Sequence, residues 1–249
     1  MAKQKGIVKI RGTVGNLTFY RSQDGFIVKE KSSLDGHRIA TDPAFARTRE
    51  NAQEFKASVT AGKMLRRSIH TLMTSASDNR VVSRLTQRMS LIKNLDTTSA
   101  RGSRNVPVSI ATAISKAQLN GFNFNKEALL DTVLKQPYAI NTATGVISIA
   151  NLNPLDDLEI PQGASHVNLT SAWLKLDFST GIYDLQVSPK LTLPLNQVGV
   201  AVALTPAGVP VGAGTNIFLL LVEFSQLVNL IQYPLNNGKN NALRIVQVT

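Results

Sequence analysis

The strongest constraint on the fold is a pattern of short apolar segments that repeats from Gly145 onward. Segments such as GVISIAN, VGVAVALT and NALRIVQVT are separated by Gly, Pro and Asn, which interrupt strands and form turns. About seven to nine strands over the last 105 or so residues are typical of an antiparallel sandwich of immunoglobulin or fibronectin size. We therefore predict such a β-sandwich, with NIFLLLVEF and NALRIVQVT inside it.

The N-terminal stretch GTVGNLTFYRSQDGFIVKEK alternates apolar and polar residues around a Gln23-Asp24-Gly25 turn, which predicts a β-hairpin. Ile7, Val8 and Ile10 are expected to form a first strand, followed by strands over 14–20 and 26–31. A hairpin of this size is marginally stable alone in water. It is therefore expected to dock on the rest of the chain or on a neighbouring subunit.

Between these two regions the sequence is helical in character. Asp42 can cap a helix, Pro43 suits its first position, and no further proline occurs up to Met73. Gly62 is expected to permit a kink or close packing. The apolar residues at helical spacing in this segment are Phe45, Ala52, Phe55 and Val59, and Leu65, Ile69 and Leu72 continue the pattern less regularly.

A second helix is predicted after Asp78, with Val81, Leu85 and Met89 as its apolar stripe. The polar segment LDTTSARGSRNVP follows, and two shorter helices are expected in 108–121 and 125–135, the latter capped by Asn125. The predicted fold class is α+β. Residues 1–105 form a basic hairpin and two-helix module, 106–140 a helical connector and 141–249 the antiparallel sandwich.

Positive charge is concentrated in the first half of the chain. Residues 1–104 contain 20 Lys+Arg and 8 Asp+Glu, whereas residues 105–249 contain 7 and 8. This asymmetry indicates a basic module that faces a polyanion or an acidic surface; the alternative is a solvated surface that aids solubility. The candidate polyanion or subunit contacts are Lys3, Lys5, Lys9, Arg11, Arg66, Arg67, Arg80, Arg84, Arg88, Arg101 and Arg104.

Arginine offers a planar fork of donors that suits phosphates and carboxylates. No helix-turn-helix, zinc finger or base-stacking sheet is recognisable, so the pattern favours phosphate contacts without base reading. Arg80, Arg84 and Arg88 recur every four residues on one helix face. That stripe can alternatively pair with acids of another subunit or face water.

No residue pattern indicates a catalytic or metal site. The chain has no cysteine, which excludes disulfides, thiolate nucleophiles and cysteine-bound zinc. Its three histidines are far apart, LDDLEIP lacks the ligand spacing of a calcium loop, and VGAGTN lacks the third glycine of a dinucleotide fingerprint. We therefore expect no enzyme activity, no cofactor, no metal and no small-molecule substrate.

The sequence also predicts no membrane span and no secretory leader. The longest apolar run, Ile217 to Val222, has six residues, whereas about 20 are needed to cross a bilayer. The apolar stretch after the basic N-terminus is short and broken by Lys9 and Arg11. The chain is expected to stay in the cytoplasm where it is made, unless it leaves as part of a particle.

Three stretches carry a resemblance to a known family: KGIVKIRGTVGNLTFYRSQDGFIVKEK, DPAFARTRENAQEF and VEFSQLVNLIQYPLNNGKNNALRIVQV. They resemble an uncharacterised family of small basic proteins of Bacteroidota chromosomes and their phages. The resemblance implies an N-terminal hairpin, helices and a C-terminal β-sandwich. It offers no activity and no site residues, but it favours a phage-related or particle-forming role.

These observations give three hypotheses. The first is a non-enzymatic structural protein that forms homo-oligomers, as in a virion or virus-like particle. The second is a host nucleic-acid-binding protein that uses residues 1–104 for sequence-independent phosphate contacts. The third, a carbohydrate-binding or hydrolytic sandwich, is disfavoured because aromatic residues make up only 6% of the chain.

Overall fold

The computed structural model describes residues 2–31, 35–235 and 238–249. Contacts divide the chain into two units, Met1–Asn51 and Ala52–Thr249. The division lies inside a helix, α2, that runs Ala46–Ser68. The predicted boundaries near residues 105 and 140 both lie within the second unit.

The described part of the N-terminal unit contains a four-stranded antiparallel sheet with the order β1-β4-β3-β2. Its strands are β1 (Ala2–Lys3), β2 (Gly12–Val14), β3 (Leu17–Ser22) and β4 (Gly25–Glu30). β3 and β4 pair directly across the Gln23-Asp24 turn, so the predicted hairpin is confirmed. A short helix α1 (Gly36–Thr41) and a 3-10 turn (Pro43–Phe45) follow.

The segment before β2 is not a strand, so the prediction for Ile7, Val8 and Ile10 was wrong. β1 and β2 lie at opposite edges of the sheet, and their connection must cross three strand spacings, about 14 Å. The side chain of Gln4 stabilises this connection by hydrogen bonds. Its Oε1 accepts from the Ile10 N–H at 3.0 Å, and its Nε2 donates to the carbonyls of Ile10 and Ile27 at 3.3 Å.

The predicted start of the long helix is confirmed. Asp42 accepts a hydrogen bond from the Ala44 N–H at 2.9 Å, and Pro43 occupies the first position of the 3-10 turn that leads into α2. The predicted apolar face is confirmed only in its C-terminal part: Leu65, Ile69 and Leu72 are buried, whereas Phe55 is 59% exposed. Glu54 is buried instead, because charged partners from distant segments surround its carboxylate.

After α2 come α3 (His70–Met73) and α4 (Val81–Asn94). The predicted stripe of α4 is confirmed, since Val81, Leu85 and Met89 are all buried. Gly62 of α2 faces this stripe: a Cβ there would lie 3.7 Å from the side chains of Leu85 and Met89. The glycine therefore permits close packing of the two helices.

The region between α4 and the large sheets contains short helices, α5 (Val106–Ser109), α6 (Ala113–Ala117) and α7 (Leu130–Val133). Asn125 does not cap α7, contrary to prediction, because α7 begins later and its N-cap position is Leu129. The Asn125 Nδ2 donates instead to the carbonyls of Lys239 and Asn241, at 2.9 Å each.

Two antiparallel sheets form the C-terminal part. The larger is centred on β7 (His166–Leu176) and β11 (Thr215–Val228), which pair from one end of β7 to the other. The outer strands of this sheet are β8 (Tyr183–Val187) and β9 (Leu191–Pro194) beside β7, with β12 (Ile231–Pro234) and β13 (Ala242–Val248) beside β11. The smaller sheet contains β5 (Ala139–Ile140), β6 (Ile147–Leu152) and β10 (Val200–Leu204), and a helical turn α8 (Pro154–Asp157) follows β6.

The larger sheet is covered on both faces. Leu174 and Leu219 belong to a buried cluster that also contains Leu65 of α2 and Leu85 of α4. The alternate residues, such as Leu220, belong to a second cluster that includes the inner residues of β6 and β10. The predicted α+β class with antiparallel sheets is thus confirmed, and NIFLLLVEF lies in the core as expected.

Candidate polyanion-binding surface

The N-terminal sheet carries a marked excess of positive charge. Residues 1–31 contain 7 Lys+Arg and 2 Asp+Glu. Among the predicted contacts, Lys3 lies on β1, and Lys5, Lys9 and Arg11 lie in the connection between β1 and β2; all four are exposed. A net excess of positive charge on so short a segment attracts anions over distances beyond direct contact.

The hairpin places Arg21 on β3 directly opposite Phe26 on β4. Ser22 stabilises the turn between them: its Oγ accepts from the Asp24 N–H at 3.1 Å and donates to the Gly25 carbonyl at 3.3 Å. Gly25 has a φ of 109°, which other residues rarely adopt. The local sequence SQDG therefore sets the register that brings arginine and ring together.

Three cations surround the ring of Phe26. The Arg11 Cζ lies 5.5 Å from the ring centroid, and the Lys9 Nζ and Arg21 Cζ each lie 5.9 Å from it. Lys9 also donates to the Gln4 carbonyl at 2.7 Å. Because an aromatic face attracts cations, the ring offsets part of their mutual repulsion and gathers positive charge at one place. We call Lys9, Arg11, Arg21 and Phe26 the Phe26 cluster.

A shallow depression of about 820 Å³ adjoins this cluster, lined by Arg11, Phe19, Tyr20, Arg21, Ser22 and Gln23. Guanidinium groups beside accessible aromatic rings suit the phosphates and bases of a single-stranded nucleic acid. The sequence pattern alone did not identify Arg21 and Phe26 as site residues. The pairing register across the Gln23-Asp24 turn was the signal that could have found them.

The predicted arginine stripe of α4 does not present a continuous charged surface. Arg84 is turned into the chain, where it pairs with Asp78 and donates to the carbonyls of Asn123 and Phe124 at 2.7 and 3.0 Å. Arg88 is exposed. Arg84 therefore joins α4 to the segment around 123–124 and leaves little of its charge for a partner.

Arg104 is also used within the chain. Its Nε donates to Glu54 Oε1 at 3.0 Å, the Gly102 N–H donates to the same oxygen at 2.8 Å, and Lys93 Nζ donates to Oε2 at 2.6 Å. The hydrogen bond from Lys93, with the other donors, outweighs burial and lowers the pKa of Glu54 to about 2. Arg101, in the same segment, is exposed.

The remaining predicted cations lie at helix ends. Arg66 and Arg67 are in the last turn of α2, where the helix dipole favours positive charge. Arg80 is exposed and precedes α4. A second depression, of about 420 Å³, is lined by Arg66, Arg67, His70, Met73 and Tyr183.

No protein-family model, curated protein or solved structure matched this chain. The resemblance to the phage-associated family therefore stays a prediction. Within the residues that the structure describes, no helix combines the length and the apolar character that a membrane crossing requires. Over the same described ranges, no three His, Asp or Glu side chains are grouped so that they could hold a metal ion.

Proposed function

We propose that this chain is a non-enzymatic structural protein that self-assembles, as a component of a phage virion or virus-like particle. In this proposal the helices and sheets of the second unit are the rigid building block. The basic N-terminal unit contacts neighbouring subunits or nucleic acid. The phage-particle part of the proposal is supported by the sequence resemblance alone.

One observation carries the self-assembly: the N-terminal unit encloses no core. Among its described residues, 2–31 and 35–51, no residue is buried. Val14, Leu17 and Phe19 lie on one face of the sheet, and Val14 and Leu17 are 63% and 45% exposed. A small sheet needs a covered apolar face to be stable in water. A neighbouring copy that covers this face would supply what the unit lacks.

The test is the mass of the full chain after nuclease treatment, measured by light scattering during size exclusion, with electron micrographs of each peak. The proposal predicts large regular particles. Replacing Val14 and Leu17 together by Asn should dissociate them. Replacing Thr13 and Thr18, a directly paired set on the opposite face, by Asn is the matched control and should leave them intact. A wild-type chain that stays monomeric at every concentration would refute the proposal.

A second candidate function is sequence-independent binding of nucleic acid, which the Phe26 cluster favours. Cations that neutralise phosphates release counterions, so the logarithm of affinity falls with the logarithm of salt by about 0.9 per phosphate on duplex DNA. Aromatic rings beside those cations add stacking for unpaired bases. This combination predicts tighter binding to single strands than charge alone would give.

The second candidate is tested by titrating full-length protein with fluorescent oligonucleotides over a series of salt concentrations. Replacing Arg11 and Arg21 together by Ala should weaken binding and flatten the salt slope by about two phosphate contacts. Replacing Lys63 and Arg88, two exposed cations elsewhere, removes the same charge and serves as control. Equal losses in both double variants would mean that net charge, rather than the cluster, drives binding.

A further inference from the structure

The β11–β12 hairpin extends an apolar tip outside the core. β11 is buried up to Ser225, but every residue from 226 to 234 is exposed. We call residues 226–233 the apolar arm. Its large apolar side chains and their exposed fractions are Leu227 (39%), Val228 (42%), Leu230 (92%), Ile231 (56%) and Tyr233 (50%).

The turn at the tip of the arm contains one unfavourable residue, Leu230. Asn229 and Leu230 have φ angles of 49° and 66°, and they join the paired residues Val228 and Ile231. A two-residue hairpin turn with positive φ at both positions favours Asn-Gly. Asn fits the first position, whereas a leucine Cβ is strained at the second. Leu230 is therefore placed where glycine would strain the backbone less and expose less apolar surface.

We propose that the apolar arm docks on a second copy of this chain. The inference rests on the proposed self-assembly and names one of its contact surfaces. The absence of charge on the arm favours this occupant, because no charged residue lies between Glu223 and Lys239. A polyanion or an anionic membrane surface would be bound through Lys and Arg. In a chain of net charge +11, an uncharged arm can contact the basic N-terminal unit of a second copy without adding charge repulsion.

The acceptor that we assign on the second copy is the exposed face of Val14 and Leu17 in its N-terminal unit. A specific interface buries about 800 Å² per partner, and a few apolar anchors near its centre supply most of the energy. Leu230, the most exposed apolar side chain of the arm, is the anchor of this contact. A contact between two different surfaces joins copies head to tail, as rings or filaments.

Leu230→Asn in the full chain tests the arm, because Asn tolerates a positive φ but removes the apolar side chain. Assembly, followed by light scattering, should shift to at least tenfold higher protein concentration, while the melting temperature of the dissociated chain stays equal or rises. Val198→Asn, which also removes an exposed loop side chain (75% exposed), is the matched control and should assemble like wild type. Unchanged assembly of Leu230→Asn would overturn the inference.

A mixing experiment separates this inference from the proposed function. Leu230→Asn keeps an intact acceptor, and the Val14→Asn, Leu17→Asn double variant keeps an intact arm. At a protein concentration at which the wild type assembles, each alone should stay monomeric, and their mixture should give dimers in which the arm of the double variant contacts the acceptor of Leu230→Asn. Dimers of the double variant by itself would mean that arms meet arms, and would overturn the acceptor assignment. If the wild type is monomeric, the proposed function fails; if it assembles and only Leu230→Asn has no effect, the arm inference alone fails.

Discussion

Lys93 Nζ donates to Glu54 Oε2 at 2.6 Å, and the two side chains retain only 11% and 3% of their exposure. The pair joins α4 to α2, and donors from Arg104 and Gly102 satisfy the other carboxylate oxygen. A buried ion pair adds little stability over an apolar contact, but breaking it leaves a charge without compensation. The helical layer therefore depends on Glu54 remaining charged.

Glu54→Gln tests this dependence. The change keeps the size of the side chain but leaves Lys93 buried without a counter-charge, so the free energy of unfolding should fall by about 3 kcal/mol. Lys56→Gln, on the exposed side of the same helix, should change it by less than about 0.5 kcal/mol. Urea unfolding followed by circular dichroism measures both. Equal effects would show that the pair has no special role.

The contribution of Glu54 to the free energy of unfolding should be lost in acid, over a defined pH range. Its pKa is about 2 in the folded chain against an ordinary value of 4.5, so the unfolded chain takes up the proton first as pH falls. The stabilisation is full above pH 4.5 and is lost as pH falls towards 2. The difference in unfolding free energy between wild type and Glu54→Gln should shrink over that range. A constant difference would contradict the assignment.

Gly145→Ala should destabilise the core around Trp173. Gly145 has a φ of 75°, and a Cβ there would lie 2.5 Å from Trp173 Cε3. Overpacking and backbone strain together should cost about 3 kcal/mol. Gly163→Ala is the matched control, because Gly163 has a φ of 86° but no atom within 4 Å of the added Cβ. Thermal unfolding should show a clearly larger loss for Gly145→Ala, and similar losses would contradict the packing argument.

Arg84 and Arg88 should behave differently although they are four residues apart on one helix. Arg84→Ala leaves the Asp78 carboxylate, 3% exposed, without its counter-charge, so the free energy of unfolding should fall by about 3 kcal/mol. Arg88→Ala should change it by less than about 0.5 kcal/mol. Chemical denaturation of both variants measures this contrast. If Arg84→Ala is as stable as the wild type, the pairing of Arg84 within the chain has no structural role, and Arg84 counts as a surface cation like Arg88.

The sequence was most informative where structure is determined locally. Alternation, turn glycines and the Asp42-Pro43 cap predicted the hairpin, the helix start and the antiparallel sheets. The apolar run Ile217 to Val222 was predicted to lie in a sandwich core. A run without alternation is also what a strand covered on both faces requires, and here helices cover the second face.

The sequence was least informative where distant residues meet. Hydrophobicity predicts Phe55 inside and Glu54 outside, but the reverse occurs because Lys93 and Arg104, 39 and 50 positions away, surround the carboxylate. The same limit applies to the candidate site. Charge alone identified Lys9 and Arg11 as candidate contacts. Their position beside the ring of Phe26 depends on strand pairing, which the sequence does not show directly.

Hydrogen exchange of the β3 and β4 amides, measured on the full chain at assembling and at dissociating concentrations, tests whether a neighbouring copy covers the N-terminal sheet. A sheet without a core of its own should exchange quickly in the isolated chain and become protected when a neighbouring copy covers it. Self-assembly through this sheet predicts protection that rises with the assembled fraction, while β7 and β11 stay protected throughout. Equal and strong protection of β3 and β4 in the monomer would contradict it.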